Sequence, residues 1–173
     1  MSGDLDLSDC TALEQLDCGY NNLLKLNAAN ATSLVTLDCN TNQLVSLNVS
    51  GCVNLWGLFA NDNQLTSLDV SGCTELGQLD CESNQLTSLD LSNSSGITWL
   101  FVGLNQLTAL DVSNLTQLAL LSCTDNQLNS LDVSKCTGLS ILYCSRNPLG
   151  KLDVSKNTQL QTLWCLDNGL TQL

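Results

Sequence analysis

Leu76-Gly77-Gln78-Leu79-Asp80-Cys81-Glu82-Ser83-Asn84-Gln85-Leu86-Thr87-Ser88-Leu89-Asp90-Leu91-Ser92-Asn93-Ser94-Ser95-Gly96 is one period of this chain. Its candidate inward residues are Leu76, Leu79, Cys81, Asn84, Leu86, Leu89, Leu91 and Ser94, and Ile97 opens the next period. The gaps between them run three, two, three, two, three, two, three, three. An amphipathic helix needs alternating threes and fours, and a long strand needs unbroken twos, so neither fits. Steps of two are short strands, and steps of three are corners where one extra residue turns the chain. The spacing therefore predicts a flattened coil whose inward side chains stack on those of the next coil.

The period holds along the whole sequence. Leucine stands at 5, 26, 47, 68, 89, 110, 131, 152 and 173, at 16, 37, 58, 79, 100, 121, 142 and 163, and at 23, 44, 65, 86, 107, 128, 149 and 170. A repeat of 21 residues without insertion gives eight coils. The expected fold is a β-rich right-handed solenoid of eight repeats, with short parallel strands at Gln15 to Gly19 and its equivalents and little helix. Residues 1–4 read as a tail, and 5–173 as a solenoid without recognisable caps. Asparagine fills one corner of every coil: Asn21, Asn42, Asn63, Asn84, Asn105, Asn126, Asn147 and Asn168. A tight corner leaves inward backbone groups without partners, and a buried amide can bond both its own turn and the adjacent coil. These residues are read as structural.

Leu13-x-x-Leu16-x-Cys18-x-x-Asn21-x-Leu23 resembles the leucine-rich-repeat segment LxxLxLxxNxL, with cysteine in the last strand position. The second half of each period, as in Leu65-Thr66-Ser67-Leu68-Asp69-Val70-Ser71, is a weaker copy of the same motif. Nested 21-residue repeats of this kind resemble the internalin J type of bacterial surface protein. The resemblance implies a cysteine ladder in the core, an extracellular or cell-surface location, an adhesive role and no enzyme activity. The chain shows no signal peptide, capping helix or wall-anchor pattern.

Ten cysteines are spread over two slots. Cys18, Cys39, Cys81, Cys123, Cys144 and Cys165 share theirs with Ala60 and Val102, while Cys10, Cys52, Cys73 and Cys136 share the other with Ala31, Ser94, Leu115 and Asn157. Replacement by Ala, Val or Leu marks small buried core thiols. Parallel strands aim neighbouring Cβ atoms alike at near 5 Å, outside usual disulfide geometry. Without histidine there is little to build a zinc site from, and no metal or other cofactor is expected.

Function in a solenoid is expected where packing does not dictate the residue. The outward slot after Leu16 reads Asp17, Asp38, Phe59, Asp80, Phe101, Ser122, Tyr143, Trp164 along the coils. Two residues earlier the row is Gln15, Thr36, Gly57, Gln78, Trp99, Leu120, Ile141, Thr162, and two residues later a row ends in Leu166. All seven aromatic residues lie in this half of the repeat. If these strands form a concave sheet, Phe59, Trp99, Phe101, Leu120, Ile141, Tyr143, Trp164 and Leu166 present an apolar ligand-binding patch. Cross-strand stacking that serves only the sheet is the alternative. The second half-repeat is monotonous, and its outward Asp69, Asp90, Asp111, Asp132 and Asp153 are expected to form local bonds with nearby serines rather than hold a cation.

Seventeen acids against five bases give a net charge of −12, which opposes binding to nucleic acid and anionic lipid. No apolar run approaches the length of a membrane span. A regular solenoid surface without histidine offers no enclosed catalytic site, so no catalytic residue is assigned. The expected function is a non-catalytic adhesion module for a protein or glycan. The alternative is head-to-tail self-assembly through bare ends, favoured by Lys135, Arg146, Lys151 and Lys156 lying in residues 131–173 while residues 1–130 carry fourteen acids and only Lys25.

Overall fold

A computed structural model describes residues 3–171. Eleven three-residue strands follow in chain order: β1 (Asp4–Asp6), β2 (Gln15–Asp17), β3 (Lys25–Asn27), β4 (Thr36–Asp38), β5 (Ser46–Asn48), β6 (Gly57–Phe59), β7 (Gln78–Asp80), β8 (Trp99–Phe101), β9 (Leu120–Ser122), β10 (Ile141–Tyr143) and β11 (Thr162–Trp164). Eight of them form one parallel sheet in the order β2-β4-β6-β7-β8-β9-β10-β11, and β1-β3-β5 form a second. Every pairing is offset by one period, so Leu79 stands between Leu58 and Leu100. Among the described residues there is no helix, and the coil of short strands and corners is the one that the three-two spacing calls for.

Because each residue stacks on its own equivalent, the core is a set of leucine columns. Leu37, Leu58, Leu79, Leu100, Leu121 and Leu142 are fully buried, as are Leu34, Leu55, Leu76, Ile97, Leu118 and Leu139. Each fully buried leucine contributes about 1.5–3 kcal/mol relative to an exposed one. In the outermost described coils Leu5, Leu16, Leu160 and Leu163 are only partly buried, since neighbours pack against them from one side.

The strands are shorter than the expected Gln15 to Gly19, ending at Asp17. Ladder bonds nevertheless run on into the corner: the Cys18 N–H donates to Asp38 O at 2.8 Å and the Tyr20 N–H to Asn40 O at 3.0 Å. There the backbone turns left-handed. Tyr20, Thr41, Asp62, Ser83, Leu104, Asp125, Arg146 and Asp167 all have φ between 50° and 55°. None is glycine, and a left-handed conformation costs an ordinary residue about 1–2 kcal/mol.

The adjacent asparagine holds this corner. The Asn63 amide donates to its own turn at Ala60 O and Asn61 O, 3.2 and 3.1 Å, and to Cys39 O of the preceding coil at 3.1 Å. Its Oδ1 accepts the Leu44 N–H at 2.9 Å. The same set recurs at Asn84, where Nδ2 reaches Ala60 O and Oδ1 accepts from Leu65. Asn21 is exposed and its amide bonds only Cys18 O and Gly19 O of its own turn. Asn168 is buried but differs: its Oδ1 accepts from the Asn147 N–H at 3.1 Å and its Nδ2 has no partner. One coil earlier Pro148 also departs from the pattern, because it stands where Gln127 donates its N–H to Leu107 O, and proline has none to give.

Among the described residues, three-residue strands appear in the second half-repeat only in its first three coils. There the outward residues are Asp6, Asn27 and Asn48, and side chains bridge the coils: Asn48 Nδ2 donates to Asn27 Oδ1 at 3.0 Å, and Asn27 Nδ2 to Asp6 Oδ1 at 2.9 Å. From Asp69 onward the row is carboxylate, which accepts but cannot donate and repels its copy one coil away. Asp69, Asp90, Asp111, Asp132 and Asp153 keep the bond from the N–H two residues on, at Ser71, Ser92, Ser113, Ser134 and Ser155, which Asp6, Asn27 and Asn48 also make, without the bridge between coils. Those bonds hold the five carboxyls below the usual carboxylate range.

The cysteine columns lie in the core with every thiol free. Cys39, Cys81, Cys123 and Cys144 are fully buried, whereas Cys18 and Cys165, near the ends, are half-buried. Cys10 is exposed, against the expectation of a core thiol, because no described coil covers its outer side. The second slot is also a hydrogen-bonding one. Cys52 Sγ donates to Ala28 O at 3.1 Å and Cys136 Sγ to Val112 O at 3.5 Å, and Asn157 uses the same position to donate to Val133 O at 3.0 Å.

The corner geometry sets a graded outcome for loss of the amide. Asn84→Ala and Asn105→Ala each strand buried backbone groups of two coils and should lower unfolding stability by about 1–3 kcal/mol. Asn21→Ala, exposed and bonded within one turn, should cost less than either. Urea denaturation of the three variants measures the order, and equal midpoints would place the ladder outside the stabilising interactions.

Candidate functional site

The sheet's outward face is built by alternation: with Leu16 and its equivalents turned in, the residues on either side turn out. Register then makes two rows. One runs Trp99, Leu120, Ile141, Thr162, and the other Phe59, Asp80, Phe101, Ser122, Tyr143, Trp164. Trp99 and Trp164 are 47% and 60% exposed, and Leu166 is 73% exposed. Phe59, Phe101, Leu120, Ile141 and Tyr143 are half-buried by their row neighbours, and Ser122 is buried between Phe101 and Tyr143. The Tyr143 and Trp164 rings meet at 4.5 Å between centroids with planes tilted 37°, so part of the aromatic surface does stabilise the sheet.

The structure brings Phe101, Tyr143, Trp164 and Leu166 together around a groove of about 520 Å³, whose polar walls are Glu82, Ser122, Thr124, Ser145, Arg146 and Asp167. Trp99, Leu120 and Ile141 form the parallel row beside it. Phe59 stands apart, separated from Phe101 by Asp80 in register. A larger cleft of about 840 Å³ lies on the second half-repeat, between Asn129, Asp132, Leu149 and Lys151, and contains no aromatic side chain.

Two glycines make room for rings that lie down on the sheet. A Cβ at Gly57 would come 3.2 Å from the Phe59 ring, and one at Gly77 would collide with the Trp56 indole. Trp56, 47% exposed, escapes a reading confined to strand slots because it sits one residue before β6. Gly103 has a different neighbour: a Cβ there would be 3.2 Å from Glu82 Oε1. The Glu82 carboxylate therefore lies across the backbone of the next coil, inside the groove.

Acidic residues crowd this end of the face. Burial pushes Asp80 up to about 6, and Glu82, Asp62 and Asp38 add repulsion, while the hydrogen bond from the Glu82 N–H opposes the rise. Burial likewise raises Glu82, helped by Asp62 and Asp125. Arg146 Nη1 pairs with Asp125 Oδ2 at 3.1 Å, an exposed contact worth little to stability. The core thiols are raised by burial, which keeps them protonated and unreactive. What the face offers chemically is aromatic and apolar contact area bordered by carboxylates.

A leucine-rich-repeat solenoid carrying a cysteine ladder is the class that this coil, corner and core define. The chain matches no protein-family model and no curated protein. Among solved structures, the functional domain of internalin J from Listeria monocytogenes, which includes a cysteine ladder, aligns at 34% identity with a TM-score of 0.71, over 94% of this chain and 41% of that one. A leucine-rich-repeat protein of Leptospira interrogans gives 24% identity and a TM-score of 0.85, over 95% and 46%. Internalin F of Listeria monocytogenes gives 26% and 0.76, over 96% and 57%. This chain has the leucine-rich-repeat fold and resembles internalin J in its period and cysteine ladder, and it spans about half the length of the structures it matches.

Asp80 has a measurable consequence. A carboxyl raised in the fold binds more protons folded than unfolded between the ordinary aspartate range and about pH 6, so stability rises as pH falls through that window. The serine-bonded aspartates, lowered in the fold, lose their contribution only at more acid pH. Between pH 7 and 5 the wild type should gain about 1 kcal/mol after allowance for solvent screening, and Asp80→Asn should remove most of that gain. Thermal melts at both pH values decide it. An identical pH slope in the two proteins would show Asp80 to be freely solvated.

Proposed function

We propose that the chain is a non-catalytic binding module whose sheet face takes a protein or glycan through Phe59, Trp99, Phe101, Leu120, Ile141, Tyr143, Trp164 and Leu166. One observation carries this reading: large apolar side chains gather on the outward rows of β8 to β11, where Trp99, Trp164 and Leu166 remain exposed although the core below is complete without them. Aromatic side chains with one face packed and one face open are the residues that dominate binding energies.

The similar structures support the reading at the level of class, since internalins imply adhesion at a cell surface, and by that resemblance the module acts outside the cell. The net charge of −12 supports a partner other than nucleic acid. Catalysis has no support on the face, which offers carboxylates and aromatic rings over an open groove with no activated nucleophile.

A variant with Trp99→Ala, Tyr143→Ala and Trp164→Ala, compared with wild type on arrays of proteins and glycans, tests the proposal. The variant should lose affinity by more than about tenfold for whatever the wild type retains, as expected for truncating central anchors. Retention of the same partners at the same strength by both proteins would remove the face from consideration.

A further inference from the structure

The outward row is not uniformly aromatic. Asp38, Phe59, Asp80 and Phe101 follow one another in register, so Asp80 occupies the slot between Phe59 on β6 and Phe101 on β8. Glu82, two residues on, lays its carboxylate across Gly103 and into the same groove that Phe101, Tyr143 and Trp164 line. Among the described residues the only salt bridge is Arg146 with Asp125, so no basic side chain of the chain itself pairs with Asp80 or Glu82. The face thus divides into an acidic and aromatic half at β6 to β8 and a mainly apolar half at β9 to β11, edged by Asp167 and by Arg146, which is held at Asp125.

Both features of the first half favour a cation. Ring faces carry negative potential that attracts ammonium and guanidinium groups, and carboxylates partly stripped of water attract them more strongly than exposed ones. Burial and mutual repulsion already make the negative charge on Asp80 unfavourable, and an incoming positive group relieves it. The second half offers the half-open Tyr143 and Trp164 rings to an apolar side chain. Asp80 and Trp164 are four registered steps apart, about 19 Å at parallel-strand spacing, which an extended chain covers in about six residues.

We propose that the partner is a protein that lays an extended basic segment along the sheet face, with a Lys or Arg side chain at Asp80 and Glu82 between Phe59 and Phe101. An apolar anchor about six residues along the same segment sits at Tyr143 and Trp164. This rests on the sheet face being the binding surface, and it selects a basic protein over a neutral glycan by charge complementarity.

The test titrates the full chain, by calorimetry, with short synthetic Gly/Ser peptides. The reference peptide carries an arginine and a tryptophan six residues apart, and the others carry glutamate for arginine, alanine for tryptophan, or arginine and tryptophan adjacent. The reference peptide should bind about tenfold more tightly than the glutamate and adjacent forms, and added salt should narrow the difference. Asp80→Asn with Glu82→Gln should weaken the reference peptide by about the same factor without weakening the glutamate form. Equal binding of the arginine and glutamate peptides overturns the proposal, as does no binding of the reference peptide at millimolar concentration. The alanine variant of Trp99, Tyr143 and Trp164 separates the two readings. If arginine makes no difference but this variant loses the tryptophan-dependent affinity, the face still binds and the cation site is overturned. If this variant binds every peptide as the wild type does, the face itself is not the binding surface, and the cation proposal falls with it.

Discussion

The hydrogen bonds of one amide hold this protein in its coiled form. At each corner the chain must reverse through a left-handed residue, and none of the eight residues that do so is a glycine. The following asparagine meets that cost by collecting carbonyls from its own turn and from the coil before, while its oxygen accepts an N–H that the corner would otherwise leave unpaired. Since the amides of Asn42 to Asn147 each join two coils, the ladder also ties their spacing. Leucine columns supply the driving force, and the amides together with the in-register backbone ladder hold successive leucines in the same phase.

Exact stacking has a second consequence, which is that every residue type meets its own kind. Amides in such a row can bond one another, as Asn27 and Asn48 do, and the strands β1, β3 and β5 run through them. Carboxylates in the same row repel, and from Asp69 on the side chains bond only the serine N–H two residues on, and no three-residue strand forms in this row among the described residues. Thiols and small apolar groups share a core column, because a cysteine fills the space of alanine or valine and can still donate weakly to a carbonyl. Aromatics stack where they adjoin, as Tyr143 and Trp164 do, or fold down onto a glycine, as Phe59 and Trp56 do.

The outward face departs from this economy. Asp80 takes the slot between Phe59 and Phe101, where burial and neighbouring acids raise it, and does nothing for the core. Gly103 gives up a side chain where the Glu82 carboxylate lies across the backbone. Local choices that lower stability without a packing return are characteristic of surfaces under selection for contact with something else.

The sequence by itself determined the coil. Leucine spacing in threes and twos excludes helix and long strand for geometric reasons, and a fixed period of 21 residues leaves stacking in register as the way to bury every column. The aromatic rows and the interleaved Asp38 and Asp80 were legible for the same reason, since a strand slot assigns each residue a face. Other features depend on contacts between coils or on backbone angles that no residue type announces. Tyr20 and Leu104 carry no signal of a left-handed conformation, and nothing in the residue type sets Asn168, whose Nδ2 has no partner, apart from Asn147. Tertiary structure alone decided that Cys10 is exposed, that Glu82 reaches across Gly103, and that Phe101, Tyr143, Trp164 and Leu166 close around one groove. A period fixes which residues face outward, but their rotamers and their neighbours one coil away fix what that outward surface is.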